Sequence, residues 1–385
     1  MKIIVVGAGF AGLMTIKTLR RRGYQGSIVL LAPLAEMFYY PASIWVPAGL
    51  YQRHDLNFPL DHFIQHYRVE YVAGSITGLD VVTKRLYTTA GAMDYERLVI
   101  ATGGESARNL PGIAHVFLPC EGYRSLLAIT ERLALLQGGT LAFGFSGNEN
   151  DPAAIRGEPL FEFLFGIDTL LRRQKRRDNF HLVFFTSCPE LDARWGIREK
   201  GYLRRELARR GIQSCVGQRI DGFGEDQVIL DGCELKSDLT IFIPELVGPA
   251  WAKQSSLPLS ENGFIRADAS CRVSGLEGSV YVAGDAGHYP LPAWVPKHGH
   301  TADLQAQVLV KNLIGDRQGE QTQYTFHQEF VYIVDTLDGG ILVYRDSKRS
   351  IALRSRLFHW AKRLFIWSYL FDYRRANNGR GVIKK

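Results

Sequence analysis

The chain has 385 residues, enough for two or three domains, with an ordinary hydrophobic fraction of 46% and 39 glycines that suit many tight turns. Its net charge of +7 is lopsided: from Arg345 to Lys385 twelve Lys or Arg stand against two Asp, a balance of +10, so the other 344 residues sum to −3. The body therefore has no electrostatic footprint for nucleic acid, and five scattered cysteines (120, 188, 215, 233, 271) without a C-x-x-C spacing argue against a disulfide framework or a metal site.

The first strand begins at Lys2, which leaves no room for a secretory segment before it and leads us to expect a cytoplasmic protein. Residues 3–12 form a short apolar run entering G-x-G-x-x-G, with Gly7, Gly9 and Gly12; a basic helix (Leu13–Arg22) and a second strand (Ser27–Leu31) follow. This is the pattern of a dinucleotide-binding β-α-β unit. Gly7 allows the tight turn, Gly9 lets the backbone approach a pyrophosphate, and Gly12 lets the helix pack close to the strand. The acidic residue that normally ends the second strand is missing: the chain reads Leu30-Leu31-Ala32-Pro33, so ribose recognition is expected from backbone near Ala32.

Residues 71–100 read as strands and hairpins, ending in an apolar run and Ala101-Thr102-Gly103-Gly104, where small residues let the chain cross close to a cofactor. A helix is expected at 123–137 and a strand at 138–145. The loop Gly144-Phe145-Ser146-Gly147-Asn148-Glu149-Asn150-Asp151 after it lacks the glycine motif and carries carboxylates where a second dinucleotide's phosphates would lie. A helix at 161–177, a strand at 181–186 and a basic helix at 200–210 follow. Gly278–Gly287 is a strand ending in Gly284-Asp285, a carboxylate suited to the ribitol of FAD, and Pro296-Lys297-His298-Gly299-His300 leads into a helix over 301–313.

Residues 351–373 place Leu353, Leu357, Trp360, Ala361, Leu364, Trp367, Ser368 and Phe371 on one helical stripe. Arg354, Arg356, Lys362 and Arg363 interrupt the apolar run along the sequence, so the segment falls far short of the roughly 20 apolar residues needed to span a bilayer. With Trp360, Trp367, Tyr369 and Tyr373 as interfacial aromatics, the segment reads as a helix lying on an anionic membrane surface; the alternatives are packing on the protein's own core or a homo-oligomer contact.

Glycines 7–12, Ala101-Thr102-Gly103 and Gly284-Asp285 together resemble the two-dinucleotide-binding flavoproteins. Within them, Phe38-Tyr39-Tyr40-Pro41-Ala42-Ser43-Ile44-Trp45-Val46 resembles the F-x-x-P-S-x-P-W-V segment of sulfide:quinone oxidoreductases. Pro296-Lys297-His298-Gly299 resembles their P-K-T-G, Glu158–Glu162 their G-P-A-Y-E, and Val331–Asp335 their V-C-F-A-D; flavocytochrome c sulfide dehydrogenases share these features.

The resemblance implies an α/β fold class: two Rossmann-like (three-layer ββα) dinucleotide-binding domains and a C-terminal amphipathic membrane-binding region. The implied boundaries are 1–110 and 255–325 for the FAD-binding domain, 111–254 for the second domain and 326–385 for the C-terminal region. It also implies FAD, a quinone acceptor, a small inorganic or organic reductant, and a peripheral, monotopic position on the inner membrane.

The implied site comprises Lys297, Glu162, Arg156, Tyr332, His298 and Cys120, with Gly7, Gly9, Ala11, Gly12, Ala32, Pro41, Ala101, Thr102, Gly103, Gly284, Asp285 and Lys297 toward the cofactor, and no metal. Lys297 is expected near the flavin pyrimidine, where a cation favours the anionic reduced ring. Glu162 either relays protons or is held by nearby basic residues; His298 or His300 either protonates a quinone oxygen or bonds to a helix start. Cys120 matches the family's auxiliary cysteine. Arg156 and Tyr332 occupy the positions of its redox cysteine pair, and neither can carry thiol chemistry. A guanidinium there favours an anionic donor. Two other readings stand beside the sulfide:quinone type: an NAD(P)H:quinone oxidoreductase, and a flavin-bearing scaffold or sensor without turnover. Cys188, Cys215, Cys233 and Cys271 read as inert buried thiols.

Overall fold

The computed structural model describes residues 2–148, 150–196, 201–276, 278–319 and 323–375. Glu149, one of the second-loop carboxylates, and the basic residues beyond Arg375 lie outside them.

Two parallel sheets organise the chain. In the first, Val280–Val282, Arg97–Ile100, Lys2–Val6, Ser27–Ala32 and Glu70–Ala73 lie side by side in that order, all parallel. Its strands are near-continuous apolar runs because helices and hairpins cover both faces. Ile3, Ile4, Val5, Leu98, Val99 and Ile100 are completely buried, each side chain contributing about 1.5–3 kcal/mol of burial. The Phe10–Arg21 helix leaves Lys2–Val6 through the glycine turn and packs along the Gly299–Gln318 helix. The second sheet orders Gln213–Val216, Phe180–Thr186, Gly139–Phe145 and Leu239–Ile243, again all parallel, with the Gly157–Arg173 helix against it. The α/β expectation with two Rossmann-like sheets holds. No helix among the described residues is long and apolar enough to cross a membrane.

The C-terminal region departs from the expected single helix. Residues 351–355 belong to the strand Ser350–Ser355, third in an antiparallel sheet with Phe330–Asp335 and Gly340–Arg345; the helix runs Leu357–Arg375. Leu353 is therefore a strand residue: Ile351, Ala352 and Leu353 pair with Tyr344, Val343 and Leu342, and this ladder satisfies backbone groups that a helix would have paired internally.

The helix turns two apolar stripes in opposite directions. Leu357, Trp360, Ala361, Leu364, Trp367, Ser368 and Phe371 are all exposed, as is Phe365. Ile366, Leu370 and Tyr373 are buried, the last stacked on Phe63. His359 and Lys362 share this inward side: His359 Nδ1 lies 2.8 Å from Asp335 Oδ2, and Lys362 donates to Glu162. Two buried polar contacts thus pin the helix to the body, since each group left alone there would keep its desolvation cost.

None of the five cysteines is joined in a disulfide. Cys233 is exposed on a hairpin strand, Cys188 and Cys215 are half-buried, and Cys271 alone among the four is enclosed. The expectation of four buried thiols is corrected for the first three, because hairpin and strand-end positions leave one side open to solvent.

Candidate functional site

One cavity of about 1090 Å³ runs from the glycine turn to the C-terminal helix. At the glycine end, Gly7 is at φ +111°, and a Cβ there would sit 2.2 Å from the carbonyl oxygen of Ala101. A Cβ on Gly12 would meet the Gly7 carbonyl at 1.9 Å, so Gly12 is a packing glycine behind the cavity wall. Gly9 has ordinary backbone angles, and nothing of the protein lies within 4 Å of where its Cβ would be. Gly9 caps the Phe10–Arg21 helix without any side-chain bond, so the first-turn N–H groups face the cavity at the positive helix end.

Ala11, Pro41, Ala101, Thr102, Gly103, Gly284 and Asp285 line the same cavity. Ala32 does not. Its carbonyl is taken by Tyr71 Oη at 3.0 Å and the Gly74 amide at 3.1 Å; the neighbouring Pro33, Gly74 and Ser75 are at the wall instead.

Midway, residues far apart in sequence converge. Arg156 caps the Gly157–Arg173 helix and reaches to 3.9 Å from Asp285 Oδ2. Burial works against its charge, but Cys120, Asp285, Tyr40 and Tyr332 together hold it more firmly protonated. Burial pushes the Cys120 thiol up, and Arg156 pulls it partly back.

Tyr332 hydroxyl donates to Glu162 at 2.6 Å, and burial followed by that carboxylate keeps the phenol protonated. Glu162 also accepts from the Asp335 amide at 2.8 Å and from Lys362. Burial raises its pKa, and Lys362 is the largest opposing influence. Of the two expectations for Glu162, the paired one describes its contacts; the partner is Lys362 of the C-terminal helix and not the Arg172–Arg177 cluster, which gathers on Asp168.

Lys297 reaches the cavity wall, but its ammonium turns toward the back. It donates to the Gly287 carbonyl, lies 4.0 Å over the Phe264 ring, and is lowered to about 8 by burial. His298 caps the Gly299–Gln318 helix, Nδ1 accepting from the Thr301 amide at 3.2 Å. Burial lowers its pKa to about 3, so the ring is neutral. With Nδ1 accepting, the hydrogen is assigned to Nε2, a buried atom with no protein partner. His300 faces Glu329 at 2.7 Å.

Three further groups complete the distal end. Asp303, one turn into the Gly299–Gln318 helix, is held at about 7 by burial, against a bond from Tyr369 at 3.3 Å and the charge of Lys17. Tyr369 and Phe365 come from the C-terminal helix, beside Lys362. Sequence spacing did not single out Lys362, which reads as one of several basic residues on a surface helix. Asp303 gave no signal either, because a carboxylate on a long helix reads as solvated surface.

A flavin dinucleotide fits these residues. Gly9 leaves open a space that a Cβ would fill, His298 Nε2–H is an orphan donor in the wall, and the volume exceeds the several hundred Å³ typical of small-ligand sites. Among the described residues no cluster has the makings of a metal site.

Residues 1–138 match the family described as pyridine nucleotide-disulphide oxidoreductase. The match covers about the first third of the chain. A type II NADH:quinone oxidoreductase of Staphylococcus haemolyticus is 31% identical across 108 residues, 27% of this chain and 27% of that protein. That of Staphylococcus aureus is 28% identical across 105 residues. The match spans about a quarter of the length of these curated relatives. The fold extends further: the sulfide:quinone oxidoreductase of Aquifex aeolicus superposes over 99% of this chain and 93% of its own, with TM-score 0.88 and 19% identity. NDH2 of Plasmodium falciparum superposes over 97% and 96%, with TM-score 0.75 and 10% identity. The segment matched by that family thus supplies the glycine-turn end of the cavity, and later segments supply the rest.

Proposed function

We propose that the chain is a FAD-dependent oxidoreductase that passes electrons from a small reductant to a quinone at a membrane surface. The supporting observation is the continuity of one cavity: a glycine-and-helix-end cradle for a diphosphate at one end, and groups from a helix with an exposed apolar stripe at the other.

When bound, FAD supplies two-electron and one-electron transfer; the protein supplies placement and protons. Gly7, Gly9 and the Phe10–Arg21 helix end take the diphosphate, Asp285 the ribitol, and His298 Nε2–H an acceptor on the cofactor or its neighbour. At the distal end Asp303, poised near neutrality, gives up or takes a proton, while Lys362 and Glu162 hold charge beside Tyr332. The outward stripe of the C-terminal helix rests in the headgroup layer of the inner membrane, where a quinone reaches the cavity between Phe365 and Tyr369.

The runner-up donor is NAD(P)H, favoured by the curated relatives. The second sheet speaks against it. Eleven residues separate Phe145 from the Gly157–Arg173 helix, in place of a tight glycine turn. Asn148 is tied to Glu245 there. A diphosphate would meet the Glu245 carboxylate in place of a glycine-turn cradle.

The deciding experiment is the absorption spectrum of purified protein followed by anaerobic titration. A flavin spectrum bleached by sulfide or another small reductant and restored by a short-chain quinone supports the reading; stoichiometric bleaching by NADH transfers it to the runner-up. A colourless protein that takes up no added FAD ends both.

A further inference from the structure

We propose that Arg156 and the N-terminal end of the Gly157–Arg173 helix form a binding site for a small oxyanion, a carboxylate or a sulfonate-type group, on the cavity wall beside Cys120. This deepens the proposed function by naming the donor's class, and rests on that reading only for the role of the bound molecule.

The Arg156 side chain is 23% exposed and lines the cavity, yet among the described residues its guanidinium makes no hydrogen bond. Its nearest carboxylate oxygen, on Asp285, is 3.9 Å away, an attraction without a shared proton. The guanidinium presents five N–H donors in a fixed fork at the cavity wall, and a bidentate oxyanion takes two at once.

The helix behind Arg156 is 17 residues long and has no side-chain cap, so its positive end lies behind the guanidinium. The carboxylate in that turn, Glu158, is already answered by Arg194 at 3.2 Å, both nearly buried. Asp285 is left as the opposing charge, which suits the site to one negative charge and not two. The remaining neighbours are apolar or committed: Tyr332 spends its hydroxyl on Glu162, leaving ring surface, and Tyr40 lies within electrostatic reach of Arg156. Recognition here is by charge and shape, since the wall offers one thiol and no thiol pair.

Cys120 reports on the site because its thiol already feels Arg156. Iodoacetate and iodoacetamide alkylate thiols by the same displacement and differ in a carboxylate. On the full-length, flavin-loaded protein, peptide mass spectrometry gives both rates at Cys120 and at exposed Cys233. We expect the iodoacetate-to-iodoacetamide ratio at Cys120 to exceed that at Cys233 by about tenfold. Acetate and methanesulfonate should slow alkylation of Cys120 at constant ionic strength while acetamide does not, and whichever acts at lower concentration distinguishes carboxylate from sulfonate. Arg156→Gln should bring the two ratios together, and Arg156→Lys should restore part of the difference.

Equal ratios at the two cysteines in the unaltered protein overturn the proposal, as does protection by acetamide equal to that by acetate. A Cys120 that reacts with neither reagent overturns it too, because a site open to a small anion is open to iodoacetate. An Arg156→Gln protein that keeps its melting temperature but sheds FAD makes Arg156 a cofactor ligand and also overturns it. A colourless wild-type protein sinks the proposed function instead, and the Cys120 ratio stays readable.

Discussion

Lys362, on the inward side of the C-terminal helix, gives its ammonium to the Glu162 carboxylate, 200 residues earlier in the chain. Both side chains are almost wholly buried, and Tyr332 adds its hydroxyl to the same carboxylate. This contact joins the segment with the exposed apolar stripe to the helix that Arg156 caps, so the two ends of the proposed chemistry share one ion pair.

Removing one partner of that pair leaves the other charged in a dry place. Lys362→Met should cost about 3–5 kcal/mol of stability, and a Glu162→Leu/Lys362→Met double variant should regain most of it. Without Lys362, the main influence holding Glu162 down is gone. Its folded pKa then rises further above the unfolded value, so the single variant's stability falls as pH rises between the two. Urea denaturation of the three proteins at pH 5 and pH 8 measures both effects.

Gly9 and Gly12 should separate cofactor binding from folding. A methyl at Gly9 enters space that no protein atom occupies, whereas one at Gly12 collides with the Gly7 carbonyl. Gly9→Ala is expected to melt with wild-type cooperativity but to retain FAD at least tenfold less tightly, a loss of about 1.4 kcal/mol. Gly12→Ala should lower the melting temperature as well. Absorbance after gel filtration, beside a thermal melt, distinguishes them.

Asp303 has its pKa raised from 3.8 to about 7, chiefly by burial. The folded protein therefore binds a proton there that the unfolded chain has released. Stability from this group is present below about pH 4, falls by about 1.4 kcal/mol per pH unit as pH rises toward 7, and is flat above. Asp303→Asn should remove that slope and be the more stable protein at pH 8, while losing quinone reduction. Paired urea melts at pH 5 and pH 8 give the first result, and stopped-flow reoxidation the second.

The two sides of the C-terminal helix should respond oppositely. Trp360→Ser with Leu364→Ser removes exposed apolar surface; the melt should stay put while partition into anionic vesicles drops about tenfold or more. Ile366→Ala, at 1% exposure, should cost about 2–5 kcal/mol and leave vesicle affinity per folded molecule unchanged. Vesicle sedimentation and calorimetry read the pair.

Local order along the chain was enough for some conclusions. The apolar run before Gly7, Gly9 and Gly12, the Ala101-Thr102-Gly103 crossing and the Gly284-Asp285 turn each carry their meaning within ten residues, because a tight turn and a close backbone approach are short-range constraints. The outward stripe from Leu357 to Phe371 was equally legible from helical spacing. The strand at 350–355 was not: Leu353 continues the apolar spacing, and only the ladder to Leu342 tells strand from helix. The sequence by itself thus determined the parallel α/β frame, its glycine cradle and the apolar exterior of the last helix. Tertiary structure alone decided that Ala32 turns away from the cavity, that Asp303 sits in it near neutrality, and that Glu162 is matched by Lys362. Those outcomes depend on desolvation and on partners tens to hundreds of residues distant, which no local pattern encodes.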